Sequence, residues 1–260
     1  MSEELNGLNL SGRRTLITGA SRGIGAAIAL KLAKAGAEVV AHYGSFAAGA
    51  IENLKDIAED KKEFIQADLS KPGAARQLWA KATEGNRRID VVINNAAINI
   101  ETPFEGDDKQ WDDGWNQSIQ VNLLEAASLI RQAVNHFREQ SSGVLITISS
   151  WSGQRGSALS TLPAYAATKA AIKAMTQTVA QGYAKEGIQA FVIAPGIVKT
   201  RMSEQAAILR GGEEKMKAAL AMGELVPPEE IGELVNFLAT GRARHLTGAT
   251  FDVNGASYIR

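Results

Sequence analysis

The chain has 260 residues, 45% apolar and 22% charged, with 28 Lys plus Arg balanced by 28 Asp plus Glu and no cysteine. That composition is ordinary for a globular protein, and the missing cysteine excludes disulfides, Cys-ligated zinc, iron–sulfur clusters and thiol catalysis. The charge balance leaves no footprint for nucleic acid or an anionic membrane. No apolar run is long enough to span a bilayer, and Met1–Asn9 is polar and acidic rather than signal-like, so a cytoplasmic location is expected.

Along the chain, short β-branched runs alternate with longer amphipathic stretches. Strands are predicted at Arg13–Thr18, Glu38–Tyr43, Lys62–Gln66, Ile89–Asn94, Gly143–Ser149, Ile188–Ala194 and Ala249–Val253. Helices are predicted at Gly23–Gly36, Ala47–Glu59, Pro72–Glu84, Lys109–Gln140, Pro163–Glu186 and Pro228–Thr240. In the first helix Ile24, Ile28, Leu32 and Ala35 share a face, and Pro163 and Pro228 suit first-turn positions. The strand interiors are apolar without alternation, as strands buried on both faces are. The expected fold is α/β: one Rossmann-type, doubly wound parallel sheet of about seven strands flanked by helices. It spans residues 1–260 as a single domain, with residues 1–10 as an N-terminal extension.

The first strand runs into Thr18-Gly19-Ala20-Ser21-Arg22-Gly23-Ile24-Gly25 and then a helix. Glycines at a strand–turn–helix junction bring backbone N–H groups close to a pyrophosphate, and the helix N-terminus adds partial positive charge. A plain glycine-rich turn is the alternative, and the position after the first strand of an α/β pattern argues against it. An acid at the end of the second strand would hold a ribose 2′-hydroxyl and repel a 2′-phosphate. Tyr43 stands there instead, and Glu38 lies at the strand's other end, about 16 Å away. Arg22 can pair with such a phosphate and Ser45 can add a hydroxyl, so NADP is expected over NAD.

Tyr165 and Lys169 lie at i and i+4 and share a helix face just after the fifth strand. A phenol is ordinarily too weak an acid to act as a base at neutral pH. A nearby ammonium and an oxidised nicotinamide are expected to lower its pKa. Ser149 and Ser150 end the preceding strand, at the carboxyl edge where parallel sheets bind ligands. His42, His136 and His245 accompany no carboxylate pattern suggesting a metal, and they are read as structural or surface residues. Trp111 and Trp115 read as packing or interface.

These motifs, in this order and with Gly-x-x-x-Gly-x-Gly spacing, resemble the short-chain dehydrogenase/reductase family. The resemblance runs from Arg13 to about Gly255. The 3-oxoacyl-(acyl-carrier-protein) reductases and bacterial sugar or polyol dehydrogenases are nearest in character. It implies hydride transfer between a nicotinamide cofactor and a secondary alcohol/ketone pair. Tyr165 would be the general acid/base, Lys169 its partner, Ser150 the donor to the substrate oxygen and Asn122 the holder of a proton-relaying water. Ser149 and Ser152 remain alternatives to Ser150, because the interval to Tyr165 is about two residues longer than in many relatives. The carried-over cofactor contacts are Gly19, Ser21, Arg22, Gly23, Ile24, Gly25, Tyr43, Ser45, Asp68, Leu69, Asn95, Ala96, Tyr165, Lys169, Pro195, Gly196, Ile197 and Thr200. Asp68 is open to two readings, an adenine contact or the N-cap of the helix near Pro72. Ala97 replaces the family's usual glycine. The resemblance also implies a homotetramer and a substrate lid at about residues 200–222. The rivals are a non-enzymatic NADP-binding regulator on the same fold, an NAD-preferring sugar or polyol dehydrogenase, and an epimerase or dehydratase of the extended branch. The intact Tyr/Lys/Ser/Asn set argues against the first, and the chain length and glycine spacing against the last.

Overall fold

The computed structural model describes residues 8–209 and 212–260, so residues 1–7 of the predicted extension and 210–211 of the predicted lid lie outside the described residues. Seven strands form one sheet in the order β3-β2-β1-β4-β5-β6-β7. They are β1 Arg14–Ile17, β2 Glu38–Tyr43, β3 Lys62–Gln66, β4 Val91–Asn94, β5 Gly143–Ile148, β6 Ile188–Pro195 and β7 Thr250–Val253. Each pairing is parallel. All seven predicted strands are present, each within two residues of its expected bounds.

Both faces of the sheet are covered, which is why the strands carry no polar alternation. In β5, Val144, Ile146 and Ile148 enter a core with Ile28 and Leu32 of α1 (Gly23–Lys34) and Val235 and Leu238 of α10 (Pro228–Ala239). Leu145 points to the opposite core. There it meets Leu78 of α3 (Ala74–Ala82), Ile130 and Phe137 of α5 (Ala126–Glu139) and Ile172 of α7 (Pro163–Tyr183). Pro163 opens α7 in its first turn. The chain lays β2 and β3 on one side of β1 and then crosses to β4 on the other. This reversal opens a crevice at the carboxyl ends of β1 and β4.

Two helix predictions differ from the structure, and three short helices were not predicted. The second helix, α2, stops at Asn53 rather than Glu59 (Ala47–Asn53), with the Asn53 amide donating to Ala26 O of α1 at 2.7 Å. The long helix predicted at Lys109–Gln140 is α4 (Asp108–Ile119), a π turn (Gln120–Glu125) and α5. The 151–162 and 201–218 stretches, to which the sequence assigns no element, hold α6 (Ser152–Arg155), α8 (Arg201–Leu209) and α9 (Glu213–Ala218).

Candidate active site

The glycine turn is shaped by contacts only glycine permits. Gly19 and Gly23 have φ of +70° and +56°, in the left-handed region where a Cβ is strained. A Cβ on Gly25 would stand 2.1 Å from Gly19 O and 2.6 Å from the Asn95 side-chain amide. Asn95, just beyond β4, stitches the two walls of the crevice together. Its side chain donates to Thr18 O at 2.8 Å, while Asn95 N and Ala96 N each donate to Thr18 Oγ1 at 3.0 Å. Arg22 is the N-cap of α1 and supplies no side-chain acceptor, so the first-turn N–H groups of Gly23, Ile24 and Gly25 keep the free donors that helix geometry leaves there. This cradle suits a pyrophosphate.

Around it, the Arg22 guanidinium lies 5.9 Å from the Phe46 ring, at the loop beyond Tyr43 and Ser45, and no acid stands between Tyr43 and Phe46. Glu38, at the far end of β2, is engaged by Arg14 Nε at 2.5 Å. Asp68 does not cap the helix near Pro72. Its carboxylate accepts from Ser70 N at 3.0 Å, and hydrogen bonding from Ser70 holds its pKa below the ordinary carboxylate range. The start of α3 is instead capped by Glu125, a buried carboxylate accepting from Gly73 N at 2.8 Å and Ala75 N at 2.7 Å. Leu69 is half-buried beside this core. Ile197 and Thr200 follow Pro195 and Gly196 at the end of β6. Ile197 O accepts from Val226 N at 2.9 Å, and Thr200 opens α8, its carbonyl accepting from Glu204 N at 3.0 Å. A Cβ on Gly23 would lie 3.1 Å from Thr200 Cγ2, so the segment that follows β6 reaches back to the glycine turn that follows β1.

The residues with chemistry converge beside this cradle. Ser149 Oγ donates to Lys169 O at 2.8 Å, which commits it to the backbone of α7. Ser150 Oγ accepts from Ser152 N at 3.1 Å and stands beside the Tyr165 phenol, whose pKa it draws downward. Of the three serines considered, Ser150 is therefore the one paired with Tyr165. Lys169 is 5% exposed, its Nζ donating to Ile148 O at 2.7 Å and lying 5.8 Å from the Tyr165 ring centre. Gly153 of α6 makes room for this packing, since a Cβ there would stand 2.7 Å from Lys169 C. Asn122, 3% exposed, sits in the π turn. It accepts from Ile98 N at 2.8 Å and donates to Ile98 O at 2.9 Å and to Thr168 Oγ1 at 3.2 Å. It thus joins the loop after β4 to the residue preceding Lys169.

Burial dominates the electrostatics. It pushes the Tyr165 phenol above its ordinary 10.0, with Ser150 opposing, and brings the Lys169 amine from 10.5 down to about 8. The expectation that the ammonium lowers the phenol's pKa is not met in the protein alone: Lys169 directs its donor at Ile148 O, and desolvation outweighs it. Three further contributors, Thr18, Thr168 and Glu125, have no short-range signal in the sequence. His42 is buried at the glycine turn rather than at the surface. Among the described residues there is no cluster of His, Asp and Glu fit to hold a metal, and no helix is long and apolar enough to cross a membrane.

The family model described as enoyl-(acyl carrier protein) reductase matches residues 19–256. A 3beta-hydroxysteroid dehydrogenase from Eggerthella lenta is 31% identical over 256 residues, covering 95% of this chain and 94% of the relative. A 3-oxoacyl-(acyl-carrier-protein) reductase from Vibrio cholerae is 30% identical over 255 residues, covering 97% of this chain and 100% of the relative. A crystal structure of a 3-oxoacyl (acyl-carrier-protein) reductase from Agrobacterium tumefaciens with NADP bound superposes with a TM-score of 0.87 at 29% identity, covering 96% of each chain. The match across almost the whole length, on a seven-stranded parallel sheet with its glycine turn at the β1/β4 crevice, makes the chain an oxidoreductase belonging to the short-chain dehydrogenase/reductase family.

Proposed function

We propose that the protein transfers hydride between NADP(H) and a secondary alcohol/ketone pair. The observation that carries this is the meeting of Ser150, Tyr165 and Lys169 beside a pyrophosphate-shaped cradle at the carboxyl edge of one sheet. Bound there, the reduced cofactor supplies the hydride. The N–H groups at Gly23, Ile24 and Gly25 hold its pyrophosphate, and Arg22 meets the 2′-phosphate. In carbonyl reduction Ser150 donates a hydrogen bond to the substrate oxygen and Tyr165 gives it the proton. A phenol kept protonated by burial is poised for that direction. Lys169 sets the charge beside the phenol, and Asn122 holds the π turn and the relay position behind it. Asp68, Leu69, Asn95 and Ala96 line the adenine and ribose side, and Pro195, Gly196, Ile197 and Thr200 the nicotinamide side.

Residues 1–260 are one domain in this reading, with the 200–222 segment as a substrate lid over the crevice. The protein is cytoplasmic. Copies associate as homotetramers through exposed apolar side chains of the 104–124 stretch, which include Phe104 and Leu124 and a run of rings, Phe104, Trp111 and Trp115, 5.4 and 5.7 Å apart. Sedimentation as a stable monomer at micromolar concentration would reject the assembly. The activity is tested by following NADPH oxidation with a panel of ketones, ketoacyl thioesters, keto-sugars and 3-ketosteroids. Turnover of at least one class is expected. Cofactor binding with no turnover of any would favour a regulator on the same fold, and higher catalytic efficiency on NADH would overturn the cofactor preference.

A further inference from the structure

His42 stands one residue before the end of β2 with 2% of its surface exposed, and both ring nitrogens are engaged. Nδ1 lies 3.1 Å from the Gly19 N–H and accepts from it, which leaves the proton on Nε2, 2.9 Å from Ala67 O. The backbone carbonyl of the same residue accepts from Ala20 N at 2.9 Å. One residue of β2 therefore grips the glycine turn at two consecutive amides and ties it to the chain immediately before Asp68. The acceptor that the Gly19 N–H meets is thus a ring almost wholly withdrawn from water.

We infer that His42 is a positioning residue for the cofactor cradle, holding the glycine turn in register with the Asp68 loop through its neutral Nε2–H tautomer. This rests on the reading that a nicotinamide dinucleotide binds there. If the ring gained a proton, Nδ1–H would confront the Gly19 N–H, donor against donor, and the turn would have to move. Burial already holds the imidazole below its ordinary 6.5, favouring the neutral form. The charged groups on the surrounding elements are occupied or turned away. Arg14 of β1 pairs with Glu38 and Glu63, and Lys62 of β3 pairs with Glu59. Asp68 accepts from Ser70 N, Glu125 accepts from the amides of α3, and Arg76 and Lys81 of α3 are exposed. Cofactor affinity should therefore fall in acid as His42 titrates.

The experiment measures NADP+ affinity by calorimetry between pH 5 and 8 for the wild type and three variants, with amide hydrogen exchange at Gly19 in the cofactor-free protein. His42→Leu removes both ring contacts and should weaken binding roughly tenfold at pH 7.5 and speed Gly19 exchange, the effect of a buried N–H left without its acceptor. His42→Asn places an oxygen near the Nδ1 position and should recover most of the affinity, whereas His42→Gln reaches Ala67 without an acceptor for Gly19 and should not. The ligand's own 2′-phosphate titrates in this range, so the informative quantity is the difference between profiles: wild type should lose more affinity in acid than His42→Asn. Should His42→Leu fail to fold, the Asn and Gln variants and the pH difference decide the matter alone. Variants binding within twofold of wild type with parallel pH profiles would overturn the inference. A wild type that binds no NADP+ at any pH would overturn the functional reading beneath it, an outcome distinct from binding that ignores His42.

Discussion

Replacing Lys169 by Met should make the cofactor-free protein more stable at pH 7 while abolishing turnover. The amine is 5% exposed, donates to Ile148 O, and has its pKa brought from 10.5 to about 8 by burial. At about 1.4 kcal/mol per unit, holding it protonated at pH 7 costs the fold about 3 kcal/mol relative to the unfolded chain. Met fills similar volume without charge, but leaves the Ile148 carbonyl without its donor, a loss of about 1–2 kcal/mol. The net gain is about 1–2 kcal/mol, or roughly 2–6 °C in Tm for a chain of this size. The pH dependence carries the sign. Between the folded value near 8 and the unfolded value of 10.5 the unfolded chain binds more protons, so wild-type stability rises with pH there. The advantage of the variant is therefore full below pH 8, closes as the pH climbs toward 10.5, and then reverses by the lost hydrogen bond. Thermal unfolding of both proteins from pH 6 to 10.5, without cofactor and at equal protomer concentration, measures this. A variant melting below wild type at pH 7, or a gap that does not change with pH, would refute the reasoning.

Tyr165→Phe should keep the fold and NADPH affinity and lose about 10²–10⁴-fold in kcat, the usual worth of a general acid; unchanged turnover on a confirmed substrate would reject the assignment. Because burial raises the phenol in the protein alone, ultraviolet titration should find Tyr165 ionising above 10.0 without cofactor and lower with NADP+ bound, when a cationic ring lies beside it. Arg22→Ala should weaken NADPH binding about 10–100-fold and leave NADH nearly unchanged, as equilibrium titration of both cofactors would show. Gly25→Ala places a methyl 2.1 Å from Gly19 O, so the glycine turn must shift; a loss of about 1–3 kcal/mol in denaturant unfolding and of most cofactor affinity is expected.

Much of this protein is legible along the chain because its signals are local. Runs such as Val91-Val92-Ile93 and Phe191-Val192-Ile193 are apolar on both faces wherever they pair, so their place in a buried parallel sheet follows from composition alone. The glycine spacing encodes φ values that few other residues tolerate, and Tyr165 and Lys169 share a face by helix period. What the sequence left open depends on partners far away in the chain. Three neighbouring serines are chemically equivalent until α7 packs against β5, turning Ser149 onto Lys169 O and Ser150 onto Tyr165. No Gly or Pro marks the end of α2 or the π turn. The first ends where Asn53 bonds α1, and the second contains both Asn122, bonded to Ile98, and Glu125, bonded to the start of α3. His42 reads as an unremarkable strand residue until β1 and β3 close on either side and present one acceptor-seeking amide and one carbonyl. The direction of the Tyr165 pKa shift follows the same division. Spacing places a lysine nearby, but how far the phenol is withdrawn from water, and where that lysine sends its protons, exists only once the sheet and α7 are packed together.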